Sequence, residues 1–218
     1  MTAGATLRVL LADDHVTVHH GLKLLIDSQS DMTVVGEASD GGAAVQLALK
    51  CRPDVIVMDV SMPGMNGLVA TKTLKKKLPD IAVVMLTRHA DDAYLQELLR
   101  AGASGYVLKQ SPPTELLHAI RATAAAAGKY VDSSLMPRMT ARFVGDKAGG
   151  TKAALSEREA EVLRLIASGY SNKEIGSRLD ISVKTVEAHK ANAMRKLDLT
   201  GRIDIVKYAI LQGWLKDE

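Results

Sequence analysis

The stretch at residues 54–67, DVIVMDVSMPGMNG, opens on an unbroken apolar run, Val55, Ile56, Val57 and Met58, and closes that run with a carboxylate, Asp59. A short continuous run of this kind, bounded by turn-forming residues, reads as a strand buried on both faces. A carboxylate at the end of such a strand is ordinarily a turn former or a helix cap. Its meaning depends on what other segments bring to the same edge.

Working outward, four more apolar runs have the same character: LRVLLA from residue 7, MTVVGEA from 32, IAVVML from 81 and GYVLK from 105. Four segments of helical periodicity lie between them, and a fifth, PTELLHAIRATAAAA, follows the last. This alternation predicts a doubly wound α/β domain, a five-stranded parallel sheet with helices on both faces. Such sheets place their sites outside the carboxyl ends of the strands. The composition then changes. Residues 128–151 run from GKYVDSSL to VGDKAGGTK, read as a linker with a short helix near 133–143. From Leu155 only helices are expected, the first opened by Ser156 and Glu159 at capping-box spacing and carrying Val162, Leu163 and Ile166. The predicted organisation is 1–127, an α/β domain; 128–151, a linker; and 152–218, an all-α domain.

With 47% hydrophobic and 24% charged residues, the 218-residue chain has the composition of an ordinary globular protein. No apolar stretch reaches the ~20 residues that span a bilayer, and the N-terminus lacks the regions of a signal peptide. A cytoplasmic protein without a membrane partner is expected. Cys51 is the single cysteine, which leaves no intrachain disulfide and no cysteine-based zinc site. Residues 1–130 hold 13 Lys and Arg against 13 Asp and Glu, whereas 131–218 hold 15 against 12, so the net charge of +3 lies in the C-terminal part. That points weakly to a polyanion partner there.

The first strand runs into Asp13 and Asp14, so three acids converge with Asp59 on one rim. Three unpaired carboxylates repel one another, and the natural remedy is a hard divalent cation on oxygen ligands, Mg²⁺ with retained waters. The fourth and fifth strands end in Thr87 and Lys109. A hydroxyl and an ammonium complete a rim suited to a dianionic phosphoryl group, and Asp59 is then the nucleophile that carries an aspartyl phosphate. Singly, each residue has an ordinary reading: caps for Asp13 and Asp14, strand content for Thr87, a surface lysine for Lys109. All five at successive strand ends are harder to dismiss.

Through LLADDH, VIVMDVSMPGMNG, VVMLT and GYVLK, residues 7–127 resemble the receiver domain of two-component response regulators. The resemblance implies a flavodoxin-like fold, Asp59 as phosphoacceptor and Asp14, Asp59 and the Ser61 carbonyl as Mg²⁺ ligands, with Asp13 binding largely through water. It implies Lys109 as partner of the phosphoryl group. Thr87 and Tyr106 would form a switch pair, the hydroxyl moving toward the phosphate while the ring turns inward, and Pro63 and Gly67 would shape the acceptor turn. Two departures stand out. Arg88 replaces the small residue common after the threonine, and Gln110 replaces the proline common after the lysine, which puts a cis peptide there in doubt.

In the C-terminal part, LSEREAEVLRLIASGYSNKEIGSRLDISVKTVEAHKANAMRKL holds three helices with a tight break at LDIS, where Asp180 is suited to a left-handed conformation and Ser182 to a cap. On a helical projection Val183, Val186, Ala193, Met194 and Leu197 form one stripe. Lys184, Glu187, Ala188, Ala191 and Arg195 lie opposite. A small, polar and basic outer face after a short turn fits the reading helix of a helix-turn-helix, although an ordinary bundle has solvated faces too. Lys184, Glu187, Ala188 and Ala191 are the candidates to meet base edges; Thr185, His189, Lys190 and Asn192, on the flanks, can reach phosphates. Residues 155–211 resemble the LuxR-type domain through LSEREAEVLRLIASGYSNKEI, ISVKTVEAH and MRKL, and the two-domain order resembles the NarL/FixJ group. That resemblance implies a four-helix helix-turn-helix domain whose last helix, around 201–211, can dimerise, with double-stranded DNA and a sensor histidine kinase as partners and a phosphorylation-promoted homodimer.

His15 and His19, four apart, read as an incidental pair because no third metal ligand is apparent. The leading reading is a phosphorylation-dependent DNA-binding transcription regulator. No enzymatic turnover is expected beyond Mg²⁺-dependent self-phosphorylation and self-dephosphorylation of Asp59. One rival is a phosphohydrolase, but the dehalogenase-type phosphatases want a second Asp where this chain has Ser61. The other is a constitutive or ligand-operated DNA binder that uses the receiver fold as scaffold.

Overall fold

The five apolar runs form β1 (Leu7–Ala12), β2 (Met32–Ala38), β3 (Val55–Asp59), β4 (Ala82–Thr87) and β5 (Gly105–Leu108). The structure is a computed structural model that describes residues 6–88, 97, 100–125, 130–133, 155–197 and 199–215. All paired strands are parallel, in the order β2-β1-β3-β4-β5 followed by a sixth, β6 (Tyr130–Val131). β3 and β4 are buried along their whole length, as continuous apolar strands between two helical layers must be. Around the strands lie α1 (Val16–Asp27), α2 (Gly41–Cys51), α3 (Gly67–Lys77) and α4 (Pro113–Ala125). The helix expected between β4 and β5 falls mostly on residues outside those described.

Side chains alternate across the sheet. Val9, Leu11, Val55, Val57, Val84, Leu86 and Val107 share one core with Ile26 of α1 and Leu116, Leu117 and Ile120 of α4. Fully buried residues of the other parity, Leu10, Ile56 and Met58, stand on the opposite side. Two positions beyond Leu11, Val57 and Val107 come Asp13, Asp59 and Lys109. Alternation therefore delivers one charge from each of three strands to the same side of the carboxyl edge.

β6 corrects the expectation of five strands, and it falls within residues 128–151, which were read as a linker. Two residues are too few to show a strand pattern in sequence; β6 exists because it docks on β5, with Tyr130 N–H donating to Ser104 O at 2.9 Å and Asp132 N–H to Tyr106 O at 2.9 Å. The short helix expected near 133–143 lies outside the described residues, apart from Ser133.

By chain contacts the protein divides into two compact units, Met1–Arg142 and Phe143–Glu218. Among the described residues the second holds α5 (Glu157–Ala167), α6 (Asn172–Leu179), α7 (Val183–Leu197) and α8 (Arg202–Leu211) around Val162, Leu163, Ile166, Ile175, Val186, Ala193, Ile205 and Ala209. Capping boxes open α5, with Ser156 and Glu159, and α6, with Ser171 and Glu174. Between α6 and α7, Asp180 adopts φ 52°, ψ 49°, and Ile181 N–H donates to Gly176 O at 3.0 Å. A Cβ on Gly176 would stand 2.8 Å from Ile181 O, so the turn needs glycine at that position. Val183 departs from the rest of the expected apolar stripe: at the first position of α7 it is 42% exposed. Among the described residues no helix is long and apolar enough to cross a membrane.

Candidate functional site

Asp13 and Asp59 are each only 2% exposed. Lys109 Nζ lies 2.7 Å from Asp13 Oδ2 and 2.7 Å from Asp59 Oδ2, bridging the two carboxylates. Burial raises the Asp59 pKa above its ordinary value and nearby Asp13 adds to that, against the opposing pull of the Lys109 hydrogen bond and charge and of the Ser61 N–H. Asp59 is thus an electron-rich, weakly solvated carboxylate. Ser61 N–H donates to its other oxygen at 3.3 Å, which keeps the acceptor loop against the carboxylate. The loop closes through Gly67 N–H on Val60 O at 2.9 Å. A Cβ on Gly67 would fall 2.0 Å from Asp59 O, so this close approach needs glycine.

Asp14 completes the acid set. One ligand atom from each of Asp13, Asp14, His15 and Asp59 lies within 4.8 Å of the others, a grouping able to hold a metal ion. Three carboxylates against one lysine leave an excess of negative charge, and oxygen donors in this number suit a hard cation such as Mg²⁺. His15 was missed: its Nδ1 is 2.8 Å from Asp14 Oδ1 and 3.3 Å from Asp13 Oδ1. It precedes α1 and turns back on the acids, with its own N–H on Asp13 Oδ1 at 2.9 Å. Its place directly after two aspartates was the available signal. His19 faces Glu37 instead, 3.7 Å from Oε2, so the two histidines have separate surroundings.

Thr87 is 2% exposed and pairs with Leu108 across β4 and β5, while Lys109 N–H donates to Thr87 O at 2.7 Å. Tyr106, 1% exposed, pairs with Met85, so its ring already points inward. Arg88 is exposed, and the described residues contain no cis peptide, including at Gln110. The turn after β5 has a further holder. Asp132, 1% exposed, accepts Leu108 N–H at 3.1 Å and the Ser111 hydroxyl at 2.5 Å through one oxygen.

In the second unit, Lys184, Glu187, Ala188, Ala191, Asn192 and Arg195 are exposed on α7; Thr185, His189 and Lys190 are half-buried. The expected outer face is therefore open. Ser182 Oγ accepts Thr185 N–H at 3.0 Å and lies 2.8 Å from its hydroxyl, capping α7. Arg195 donates to Asn192 Oδ1 at 3.0 Å. From the inner side Lys196 donates to Glu159 Oε2 at 2.7 Å, tying α7 to the capping box of α5. Burial works to raise the Glu159 pKa, but the Lys196 and Ser156 hydrogen bonds outweigh it and hold the carboxyl below its ordinary range.

The family described as response regulator receiver domain matches residues 9–121, and bacterial regulatory proteins of the luxR family match residues 153–209. The oxygen regulatory protein NreC of Staphylococcus haemolyticus is 42% identical over 211 residues, spanning 94% of this chain and 97% of that protein. RcsB of Salmonella enterica serovar Typhimurium, solved bound to a promoter in the presence of the phosphomimetic BeF3-, superposes with a TM-score of 0.75 at 32% identity over 95% of this chain and 99% of its own. The response regulator ChrA of a heme-sensing two-component system gives 0.53 at 32% identity, covering 97% of this chain and all of its own. Both halves are accounted for along almost their whole length, and the chain belongs to the NarL/FixJ-type response regulators, a receiver followed by a LuxR-type helix-turn-helix.

Proposed function

We propose that this response regulator is switched by a phosphoryl group on Asp59, received in the cytoplasm from a sensor histidine kinase. The observation that carries the reading is Lys109 Nζ at 2.7 Å from both Asp13 and Asp59 on the carboxyl edge of the sheet. An Asp59 oxygen attacks phosphorus as the bond from phosphorus to its donor breaks. Lys109, already beside that oxygen, exchanges a carboxylate partner for the phosphoryl oxygens, and the Thr87 hydroxyl donates to another of them. Asp14, Asp59 and the Ser61 carbonyl would hold Mg²⁺, with Asp13 acting through water. The metal supplies charge neutralisation at the transferring group. The same set permits self-phosphorylation from a small donor and self-dephosphorylation.

The phosphoryl group biases Thr87 and Tyr106, and through them the balance between a resting and a pairing form; the two states must bind it differently for this to work. The paired chain presents two α7 helices to double-stranded DNA. Lys184, Glu187, Ala188 and Ala191 face base edges in the major groove, while Thr185, His189, Lys190 and Asn192 hold phosphates. The division into receiver 1–127, connecting segment 128–151, whose first residues add β6 to the receiver sheet, and LuxR-type domain 152–218 follows this division of labour. The decisive experiment is intact-mass measurement after exposure to acetyl phosphate and Mg²⁺, coupled to operator binding. Wild type should gain one phosphoryl group and bind DNA more tightly, and Asp59→Asn should do neither. Equal labelling of the variant would refute Asp59. Equal DNA binding with and without phosphoryl group would favour a constitutive binder.

A further inference from the structure

Asp132 lies beyond α4, outside the stretch matched by the receiver family, yet its carboxylate is 1% exposed. A carboxylate withdrawn from water to that degree stands only where it has hydrogen-bond donors. It finds them on both ends of one turn. Oδ2 takes Leu108 N–H at 3.1 Å and the Ser111 hydroxyl at 2.5 Å, while Ser111 N–H closes the same turn on Leu108 O at 3.0 Å. Lys109 is inside that turn, and its Nζ reaches Asp13 and Asp59. β6 sets the height: Val131 pairs with Tyr106, and Asp132 N–H on Tyr106 O brings the carboxylate level with the end of β5.

We propose that Asp132 is a positioning residue for Lys109: by pinning both ends of the Leu108–Ser111 turn, it makes the segment that leaves the receiver part of the phosphoacceptor machinery. The inference rests on the reading of Asp59 and Lys109 given above. A lysine on a long flexible stem reaches two carboxylates only if its backbone is fixed. Releasing the turn lets Nζ drift from the developing charge on the phosphoryl oxygens, and small displacements there are costly. Lys109 N–H on Thr87 O, at 2.7 Å, holds the strand side of the turn, so Asp132 is needed for its far side.

The test uses the full chain and compares wild type, Asp59→Asn, Asp132→Ala, Asp132→Asn and Ser111→Ala. Phosphorylation by acetyl phosphate is followed by intact mass, and Mg²⁺ binding by calorimetry without phosphoryl donor. Asp132→Ala should slow labelling about tenfold, whereas Asp132→Asn, whose single carbonyl oxygen can accept both donors, should recover to within about threefold of wild type. Mg²⁺ separates positioning from general loosening. If Lys109 drifts from Asp13 and Asp59, those carboxylates lose a competing cation, and Mg²⁺ should bind as tightly as in wild type or more so. A damaged site would bind it more weakly. An unchanged rate in Asp132→Ala, an Asn variant as slow as the Ala variant, or Mg²⁺ binding that weakens with the rate would each overturn the inference. Should Asp132→Ala fail to fold, Ser111→Ala carries the comparison with a smaller slowing, and an unaltered rate there overturns the proposal. Labelling of Asp59→Asn equal to wild type would instead sink the phosphoacceptor reading itself.

Discussion

Lys109 meets Asp13 across 96 positions of chain, whereas the proposed DNA-facing residues, Lys184 to Asn192, share a single helix of 15 residues. The first site is buried, crowded with like charge and assembled by the sheet. The second is exposed, local and needs only that α7 be held at the right angle. The difference separates their failure modes. A substitution in the rim alters charge balance and the stability of the receiver with it. One on the outer face of α7 should alter DNA binding and leave the fold alone; α7 is vulnerable structurally from its inner side, where Val186 and Ala193 are buried and Lys196 meets Glu159.

The largest effect expected is on that inner side. Glu159→Ala removes an N-cap partner and the carboxylate that receives Lys196, and should lower the stability of the C-terminal unit by about 2 kcal/mol. Denaturant unfolding followed at Trp214, which packs on Tyr208 with ring centroids 5.4 Å apart, should report it. A loss confined to the receiver would break the comparison. Next, Mg²⁺ at ten times its dissociation constant should stabilise the receiver by about 1.4 kcal/mol and leave the other unit unmoved. Asp59→Asn should abolish much of that gain while raising metal-free stability, since it relieves repulsion in a rim where Lys109 still keeps Asp13. A lower melting temperature for that variant in chelator would show that the carboxylate excess is not a strain on the fold.

Smaller and purely functional effects belong to the outer face. Glu187→Ala should relax preference at one base position of each half-site by about 1 kcal/mol, and Lys190→Ala should weaken binding to all sequences and reduce the salt slope by about one. Selection from random DNA with both variants checks this; a changed motif for Lys190→Ala with an unchanged one for Glu187→Ala would exchange their roles. The smallest effect lies at β6. Burial, with the Glu115 carboxylate at 2.6 Å and the charge of Asp132, pushes the Tyr130 phenol up to about 12. The native state therefore favours the neutral phenol. That stabilisation is complete below the unfolded value of 10.0 and is lost as pH rises through about 12. Tyr130→Phe should flatten the decline in stability over that window, and an equally steep decline would remove the assignment.

Strand positions were legible because a sheet covered on both faces demands continuous apolar runs, and VIVMD and AVVML satisfy it without help from distant residues. The convergence of Asp13, Asp59 and Lys109 was legible for a related reason: a parallel sheet carries every strand end to one edge. What escaped depended on pairings with no local signature. β6 is two residues long and exists only against β5. His15, read as half of an incidental pair with His19, precedes α1 and turns its ring onto Asp14. Asp132 looks like loop content until its depth is known, and Val183 fits an apolar stripe yet is exposed at the first position of α7.

β6 also governs how two copies of the chain can meet. Left bare, β5 would offer a neighbouring molecule a row of unpaired backbone groups, the usual template for edge-to-edge association. β6 covers it and then stops after two residues, too short to template another strand. At the far margin of the sheet, Asp27 takes up Val34 N–H at 2.8 Å, blunting β2 as well. With β5 covered and one amide of β2 taken up, strand addition is disfavoured at both margins, which leaves side chains on the helical surfaces as the favoured contacts between receivers. Such contacts can be made and broken with the state of the site, whereas a continuous sheet through two molecules would be slow to part.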